Sequence, residues 1–181
     1  LIADLTAMIS LKAQAKNLIF DIDVDNSLPV HLYGDDIRIR QILTNLLSNA
    51  IKYTKEGRVE LSVKGEIKDN TLTLYYSVTD TGIGIKEEHL TNLFEEYKRI
   101  EDGSNHHIEG TGLGLNITMR LLNLMGSKLQ VQSEYGKGSK FFFELNQLVT
   151  DSMTIEDYNK QKKQNQNQKQ RFCAFTAPKA R

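Results

Sequence analysis

The chain has 181 residues, of which 39% are hydrophobic and 25% are charged, and its 23 Lys and Arg residues balance its 23 Asp and Glu residues. This composition supports a hydrophobic core, excludes collagen-like and wholly disordered chains, and lacks the basic excess of a nucleic-acid-binding protein. Its apolar stretches fall far short of the roughly 20 residues that a membrane span needs. The single cysteine, Cys173, excludes an intrachain disulfide and favours a reducing compartment, so we expect a cytoplasmic domain.

Hydrophobic periodicity predicts the order of elements in the first half of the chain. An amphipathic helix is predicted over residues 1–16 and an alternating strand over 18–24. A second helix is predicted from a cap at Gly34-Asp35-Asp36 to about Tyr53. Its predicted core face is an apolar stripe of seven residues: Ile39, Ile42, Leu43, Leu46, Leu47, Ala50 and Ile51. The β-rich runs 58–67 and 71–80 are then predicted to form a hairpin.

The second half begins with a polar stretch, residues 82–110, which holds one short predicted helix. Helical spacing resumes at Leu113, and two strand-like runs, residues 129–133 and 140–145, follow around a glycine turn, whereas residues from about Asp151 are rich in Lys, Gln and Asn. We therefore predict one domain over residues 1–148 and a polar linker over 149–181. The order of elements predicts an α+β fold, a two-layer α/β sandwich with a mixed, mostly antiparallel sheet and helices packed on one face.

The second predicted helix carries two asparagines on one face. Asn45 and Asn49 lie four residues apart, so both carboxamides project in the same direction, and Gln41, Lys52 and Tyr53 extend this polar stripe. One interpretation is a solvated helix face. The other is that an asparagine oxygen coordinates Mg²⁺, a hard cation that keeps most of its waters, with Lys52 neutralising phosphate charge one turn later.

The segment Asp80-Thr-Gly-Ile-Gly84 stands at the end of a predicted strand. A carboxylate beside two glycines can accept a hydrogen bond from an amino group on a ring that lies against bare backbone, and this geometry suits adenine. A tight turn without a ligand is the competing interpretation.

Two further glycine runs flank the third predicted helix. Gly110-Thr-Gly-Leu-Gly-Leu115 opens this helix, where free backbone N–H groups bind phosphate. It does not match the dinucleotide-binding fingerprint, because a polar stretch rather than a strand precedes it. Gly136-Lys-Gly-Ser-Lys-Phe141 leads into a strand and, taken alone, predicts only a hairpin turn.

In this order, the motifs resemble those of the GHKL ATP-binding superfamily (the Bergerat fold) and, within it, the catalytic domain of sensor histidine kinases. The resemblance covers nearly all of residues 1–148. It comprises an N box at Asn45–Thr54, a first glycine box at Asp80–Ile85, an F box at Leu93–Tyr97, a second glycine box at Gly110–Leu115 and a last glycine box at Gly136–Phe141. It implies a domain that binds ATP and Mg²⁺ and transfers the γ-phosphoryl group to a histidine on a separate dimerisation domain.

The resemblance also implies roles for individual residues. Asn49 would ligate the Mg²⁺ that bridges the ATP phosphates, with Asn45 in support, and Lys52 and Tyr53 would contact the phosphates or the ribose. Asp80 would accept a hydrogen bond from the adenine amino group, with Ser139 completing that pocket. The other implied nucleotide-binding residues are Gly82, Gly84 and Ile85 near the ring, Phe94 as the anchor of a mobile ATP lid, Arg99 towards the γ-phosphate, and Gly110, Thr111, Gly112, Leu113, Gly114 and Leu115 at the hinge and phosphate-facing end of that lid.

The identity of residue 45 separates branches of the superfamily. ATP-hydrolysing relatives, such as gyrase-like and mismatch-repair ATPases, are expected to have Glu as a general base where this chain has Asn45, and a carboxamide cannot take a proton from water. Asn45 therefore favours a kinase over a GHKL ATPase. Two more functions compete with the kinase, a serine-kinase anti-sigma-type protein and a nucleotide-free interaction module, and the intact Asn49 and Asp80 argue against the interaction module.

The phosphorylated histidine is expected outside this chain. The four histidines lack the His-Glu or His-Asp context of a phosphoacceptor helix and are predicted to be surface residues: His31, His89, His106 and His107. The dimerisation and phosphoacceptor helices of a homodimeric kinase are expected upstream of Leu1. Residues 175–181 resemble the segment before a receiver domain in hybrid histidine kinases, so a response-regulator receiver domain is an expected partner; a plain linker is the competing interpretation.

Overall fold

The computed structural model describes residues 1–68, 71–90, 93 and 113–164. In chain order, its elements are α1 (Ile2–Gln14), β1 (Ile19–Val24), β2 (Leu32–Tyr33), α2 (Asp36–Tyr53), β3 (Arg58–Lys68), β4 (Thr71–Asp80), α3 (Glu87–Leu90), α4 (Leu113–Leu124), β5 (Gln130–Glu134) and β6 (Gly138–Val149). Residues 155–164 add a C-terminal helical segment. Of the predicted lid region, residues 91, 92 and 94–112 lie outside the described residues.

The six strands form one sheet in the order β1-β3-β4-β6-β2, with β5 also paired to β6. Only β1 and β3 are parallel, and every other pairing among the described strands is antiparallel. The strands β5 and β2 pair with opposite ends of β6, β5 near Gly138 and β2 near Val149. The predicted mixed, mostly antiparallel sheet is therefore confirmed.

The core lies between the sheet and the helices. Alternate residues of β3 and β4 are buried, as expected for strands with one covered face, and α2 covers them with a continuous apolar stripe. All seven residues that the sequence predicts for this stripe are buried: Ile39, Ile42, Leu43, Leu46, Leu47, Ala50 and Ile51.

Both ends of α2 are held by side chains. As predicted, Asp35 caps the N-terminus, where its Oδ1 accepts a hydrogen bond from the Arg38 N–H at 3.0 Å. At the C-terminus, the Lys16 ammonium donates to the carbonyl oxygens of Ile51 at 2.8 Å and Lys52 at 3.1 Å. Because the last carbonyls of a helix lack partners within it, this cation both satisfies and stabilises them. The end of α1 thus fixes the last turn of α2.

The chain after β6 returns to the sheet. The Val30 N–H donates to the Met153 carbonyl, and the Ile155 N–H donates to the Leu28 carbonyl, each at 2.9 Å. Ile155 packs against the core, and Leu28 is buried. From the strand registers, this contact lies at the end of the sheet opposite Asp80. In the described part of the chain, no helix is long and apolar enough to cross a membrane.

Candidate nucleotide-binding site

One end of the sheet carries a row of residues that changes from apolar to polar. Cross-strand register aligns Val59 of β3, Asp80 of β4, Ser139 of β6 and Ser133 of β5. Residues in register on neighbouring strands share a face of the sheet, and here it is the face that the helices cover. Asp80 and Ser139 are only 7% and 8% exposed. The row therefore places a carboxylate and two hydroxyls side by side at the edge of the core.

Asp80 is a buried hydrogen-bond acceptor. Its Oδ1 accepts from the Gly82 N–H at 2.9 Å, and the backbone N–H of Ser139 also hydrogen-bonds to the carboxylate. Burial raises the pKa of this carboxyl, while the two N–H groups partly offset that shift. An ionised carboxylate has about four acceptor positions and no proton to donate, so Asp80 has capacity for further N–H donors.

The loop after Asp80 passes too close to its neighbours for a side chain at two positions. A Cβ on Gly82 would lie 2.5 Å from the Tyr53 carbonyl oxygen and 2.8 Å from Asp80 Oδ1. Gly84 has a φ of 66°, in the left-handed region, and a Cβ there would overlap the Glu134 carbonyl. Glycine is thus required sterically at both positions.

Backbone hydrogen bonds hold the same loop on both sides. The Ile83 N–H donates to the Tyr53 carbonyl at 3.3 Å, and the Gly136 N–H donates to the Ile83 carbonyl at 2.8 Å. Consequently the end of α2 and the β5–β6 turn fix the position of this loop.

Ser133 connects the loop to the last glycine box. Its Oγ accepts from the Ile85 N–H at 2.8 Å, donates to the Gly138 carbonyl at 2.9 Å, and lies 2.9 Å from Ser139 Oγ. The loop after Asp80 and the β5–β6 hairpin, which are distant in sequence, therefore meet at one hydroxyl.

The polar face of α2 meets the beginning of α4. Asn45 Nδ2 donates to the Gly114 carbonyl and, at 3.2 Å, to Thr118 Oγ1, and Thr118 is fully buried. A Cβ on Gly114 would lie 2.6 Å from Asn45 Oδ1, so only glycine permits this approach. The carboxamide of Asn45 therefore docks the first turn of α4 onto α2.

The remaining predicted residues of α2 line the same side of the helix. Asn49 and Lys52 are half-buried, and Tyr53 is 38% exposed. The Lys52 ammonium lies 4.8 Å from the centroid of the Tyr53 ring, within the range of a cation–π interaction. These side chains place a cation and an amide one turn apart near the end of α2, where the Tyr53 carbonyl contacts the loop that follows Asp80.

Direct contacts join four of the motifs that the sequence identifies. The N box contacts the first glycine box through Tyr53 and the second through Asn45, and the first glycine box contacts the last through Asp80 and Ser139. Leu113 is 40% exposed, and Leu115 packs against the core. Five predicted site residues lie outside the described residues, and their roles stay predictions: Phe94, Arg99, Gly110, Thr111 and Gly112.

Two residues of this site are absent from the sequence-based prediction. Thr118 and Ser133 contact predicted residues but lie in no glycine or asparagine motif. Thr118 lies four residues after Gly114 on the same helix face, and Ser133 lies two residues after Val131 on the same face of its strand. These spacings place both side chains on the inner faces of their elements, and they are the signal in the sequence that could have identified the two residues.

The described residues fit Mg²⁺ that binds together with a nucleotide, and they do not fit a metal site built from protein ligands alone. They contain no group of three or more His, Cys, Asp or Glu residues that could hold a metal ion. Mg²⁺ that accompanies a nucleotide, however, takes one or two protein oxygens and fills its other positions with phosphate oxygens and waters. A half-buried asparagine on α2 matches that requirement.

Comparison with known proteins agrees with this geometry. The family model described as "Histidine kinase-, DNA gyrase B-, and HSP90-like ATPase" matches residues 34–148. Over 139 residues, the chain is 44% identical to hybrid signal transduction histidine kinase B of Dictyostelium discoideum, covering 76% of this chain and 7% of that protein. Over 154 residues, it is 32% identical to the signal transduction histidine-protein kinase BarA of Escherichia coli strain K12, covering 84% of this chain and 17% of that protein.

A solved structure shares the fold. The crystal structure of full-length ShkA in complex with AMPPNP superposes with a TM-score of 0.68 at 30% identity, covering 83% of this chain and 30% of that one. The chain thus spans only a small part of the curated relatives that it matches. The two relatives cited above are named as histidine kinases. The matched model covers most of the chain and includes the described residues around Asp80, so the chain belongs to the family of histidine kinase-, DNA gyrase B- and HSP90-like ATPases.

Proposed function

We propose that this domain binds Mg-ATP and positions the γ-phosphoryl group for transfer to a histidine on a separate dimerisation domain of a two-component kinase. The observation that carries this proposal is the buried Asp80 carboxylate, set between two glycine loops and next to Ser139. The family match supports ATP as the nucleotide.

The adenine ring lies, in this proposal, against the backbone of residues 82–85. Gly82 and Gly84 let the loop pass close to Tyr53 and Glu134, which holds its backbone beside Asp80, and Asp80 accepts a hydrogen bond from the 6-amino group. A site that hydrogen-bonds a substrate N–H rejects analogues that lack it, because the buried acceptor is then left unpaired. Asp80 therefore gives the pocket its preference for an amino-purine.

The phosphates extend along the polar face of α2. Asn49 offers an amide oxygen to Mg²⁺, and Lys52 offers a positive charge to the phosphate oxygens one turn later. When bound, Mg²⁺ neutralises the charge that spreads over the transferred phosphoryl group. Phosphoryl transfer needs mostly positioning and charge neutralisation, and these two side chains supply both.

Asn45 favours a kinase over an ATPase. A carboxamide cannot take a proton from water, and in this structure both N–H bonds of Asn45 point to α4, towards Gly114 and Thr118. Asn45 thus positions α4 against the nucleotide site and does not activate a water molecule. The γ-phosphoryl group is preserved for a protein acceptor.

The protein partners of the domain follow from its relatives. The curated relatives are named as histidine kinases, one of them a hybrid kinase, and this chain spans 7% and 17% of their lengths. We therefore assign to the whole protein a phosphoacceptor helix pair, homodimerisation through it and a receiver domain as the next phosphoryl acceptor.

The test is calorimetric titration of the chain with a non-hydrolysable ATP analogue, with and without Mg²⁺, beside an ATPase assay. We expect Mg²⁺-dependent binding with negligible hydrolysis. Asn49→Ala removes the proposed ligand oxygen. The affinity of this variant for the ATP analogue in the presence of Mg²⁺ should therefore fall to the value measured without Mg²⁺. Ser48→Ala, at a position of the same helix that contacts Lys12 of α1, is the matched control and should bind as wild type does.

Two outcomes contradict the proposal. Efficient hydrolysis would place the protein among the ATPases and overturn the role given to Asn45. An Asn49→Ala variant that keeps the full Mg²⁺-dependent gain in affinity would overturn the assignment of the metal ligand.

A further inference from the structure

The hydrogen bonds of Ser133 use every donor and acceptor position that a hydroxyl has. A serine hydroxyl donates once and accepts twice. The Ile85 N–H can only donate and the Gly138 carbonyl can only accept, so they occupy one acceptor position and the single proton of Ser133. The third contact, Ser139 Oγ at 2.9 Å, could by distance have either oxygen as donor. Because the proton of Ser133 is already used, Ser139 is the donor in the arrangement that satisfies all three contacts.

The consequence for Ser139 is a fixed orientation of its own proton. Its O–H points to Ser133, which lies on the far side of it from Asp80 in the cross-strand row. Only the lone pairs of Ser139 then remain for a ligand. Next to it stands Asp80, which as a carboxylate is also an acceptor.

We infer that Ser133 is a positioning residue for base specificity: by taking the proton of Ser139, it leaves two adjacent acceptors, Asp80 and Ser139, facing the 6-position of a bound purine. This inference rests on the proposed adenine site. A 6-amino group can donate to both acceptors. A 6-oxo group, as in inosine or guanine nucleotides, has no proton to offer either of them.

Loss of Ser133 changes the preference for 6-amino over 6-oxo purines without removing Asp80 or Ser139, the two groups proposed to face the 6-position. In Ser133→Ala, the Ser139 hydroxyl loses its acceptor and is free to rotate. It can then donate to a 6-oxo group, which reduces the discrimination against 6-oxo purines, while Asp80 still favours a 6-amino group. A residue that only stabilised the fold would weaken the binding of both nucleotides alike, whereas the ratio of their affinities reports on the orientation of the Ser139 proton.

The experiment measures the dissociation constants of ATP and inosine triphosphate, with Mg²⁺, for the wild type, Ser133→Ala and Ser133→Thr. Inosine triphosphate is the matched probe because it lacks the 2-amino group of GTP. One neutral hydrogen bond corresponds to roughly a 2- to 10-fold change in affinity. We expect the preference for ATP to fall by about that factor in Ser133→Ala and to return in Ser133→Thr, which keeps the hydroxyl.

Two controls connect the effect to Ser139. In the Ser139→Ala background, adding Ser133→Ala should leave the preference unchanged, because no proton remains to be oriented. Ser77→Ala, a serine on β4 outside the row, should keep the wild-type preference. If Ser133→Ala does not fold, Ser139→Ala alone decides, since it removes the second acceptor and should also reduce the preference for ATP by about 2- to 10-fold.

Failure of the inference differs from failure of the proposed function. Wild-type binding of ATP that Asp80→Asn weakens, together with an unchanged preference in Ser133→Ala or, should that variant not fold, in Ser139→Ala, would overturn the role of Ser133 alone. A wild-type chain that binds neither nucleotide, or an Asp80→Asn variant with normal ATP affinity, would overturn the adenine site and this inference with it.

Discussion

Substitution of Gly114 by alanine tests the contact between α2 and α4. A Cβ at this position would lie 2.6 Å from Asn45 Oδ1 and 3.0 Å from Nδ2, so the Asn45 side chain must move. When it moves, it loses its hydrogen bonds to the Gly114 carbonyl and to Thr118 Oγ1. Alanine in a helix is otherwise preferred over glycine, so the same substitution also brings a gain.

The two effects have different sizes. Two hydrogen bonds of about 0.5–1.5 kcal/mol each give a loss of about 1–3 kcal/mol, and the helix preference for alanine returns at most about 1 kcal/mol. Gly114→Ala should therefore lower the free energy of unfolding by up to about 2 kcal/mol. In an Asn45→Ala background the steric conflict is absent, so Gly114→Ala should raise the free energy of unfolding by up to about 1 kcal/mol.

The assay is urea unfolding of the nucleotide-free wild type, the two single variants and the double variant, analysed by linear extrapolation. A reversal of sign between the two backgrounds, with a coupling of about 1–3 kcal/mol, is the expected result. Effects that add within about 0.5 kcal/mol would show that Asn45 and Gly114 do not interact, and would refute the docking of α4 by the Asn45 carboxamide.

Two further predictions concern opposite ends of the sheet. Burial raises the pKa of Asp80 above its ordinary 3.8. The contribution of Asp80 to the free energy of unfolding is therefore highest below pH 3.8 and falls as pH rises through the window from 3.8 to the raised pKa. Asp80→Asn should lack this pH dependence, which urea unfolding at a series of pH values measures. ATP binding by the wild type should weaken as pH falls into that window, because the protonated carboxyl is no longer only an acceptor, and binding that follows an unshifted carboxyl would contradict this. At the other end, Ile155→Ala should destabilise the chain by about 1–3 kcal/mol through lost core packing. Tyr158, which is 44% exposed, is the control, and Tyr158→Ala should change the free energy of unfolding by less than about 0.5 kcal/mol. An effect of Ile155→Ala as small as that of the control would show that Ile155 does not pack against the core.

Local sequence determined the elements whose residues interact mainly with their own neighbours in the chain. The cap at Asp35 and the apolar stripe of α2 are such features, and both were predicted correctly. Strand β6 is longer than predicted, Gly138–Val149 instead of 140–145, because its ends are held by pairing with β4, β5 and β2. The two-residue strand β2 exists only through its pairing with β6, so no local pattern indicates it.

The C-terminal segment shows the same limit. Its polar composition predicts a linker from residue 149, yet residues 153–156 donate and accept backbone hydrogen bonds with residues 26–30. Every residue except proline carries the same backbone N–H and C=O groups, so composition does not indicate which backbone groups pair in this contact.

For the site, the sequence identified the motifs but not how they touch. Asp80, Asn45 and Ser139 each lie close to residues of another box, and their roles stay predictions. The contacts from Asn45 to Thr118 and from Ile85 to Ser133 join residues 73 and 48 positions apart, and each depends on the packing of whole elements. Such partners follow from the tertiary fold and not from spacing within a segment.

The contact of Asn45 with α4 also bears on how the chain folds. Its two hydrogen bonds close loops of 69 and 73 residues, and contacts of such long sequence separation form slowly, because the entropy of loop closure is lost before they stabilise the fold. During synthesis, the Asn45 side chain has no native partner until residue 114 has left the ribosome. A nucleotide that binds only the completed site stabilises only fully folded chains. In the proposed site, which includes this contact, ATP binding is therefore a late event in biogenesis and reports completed folding.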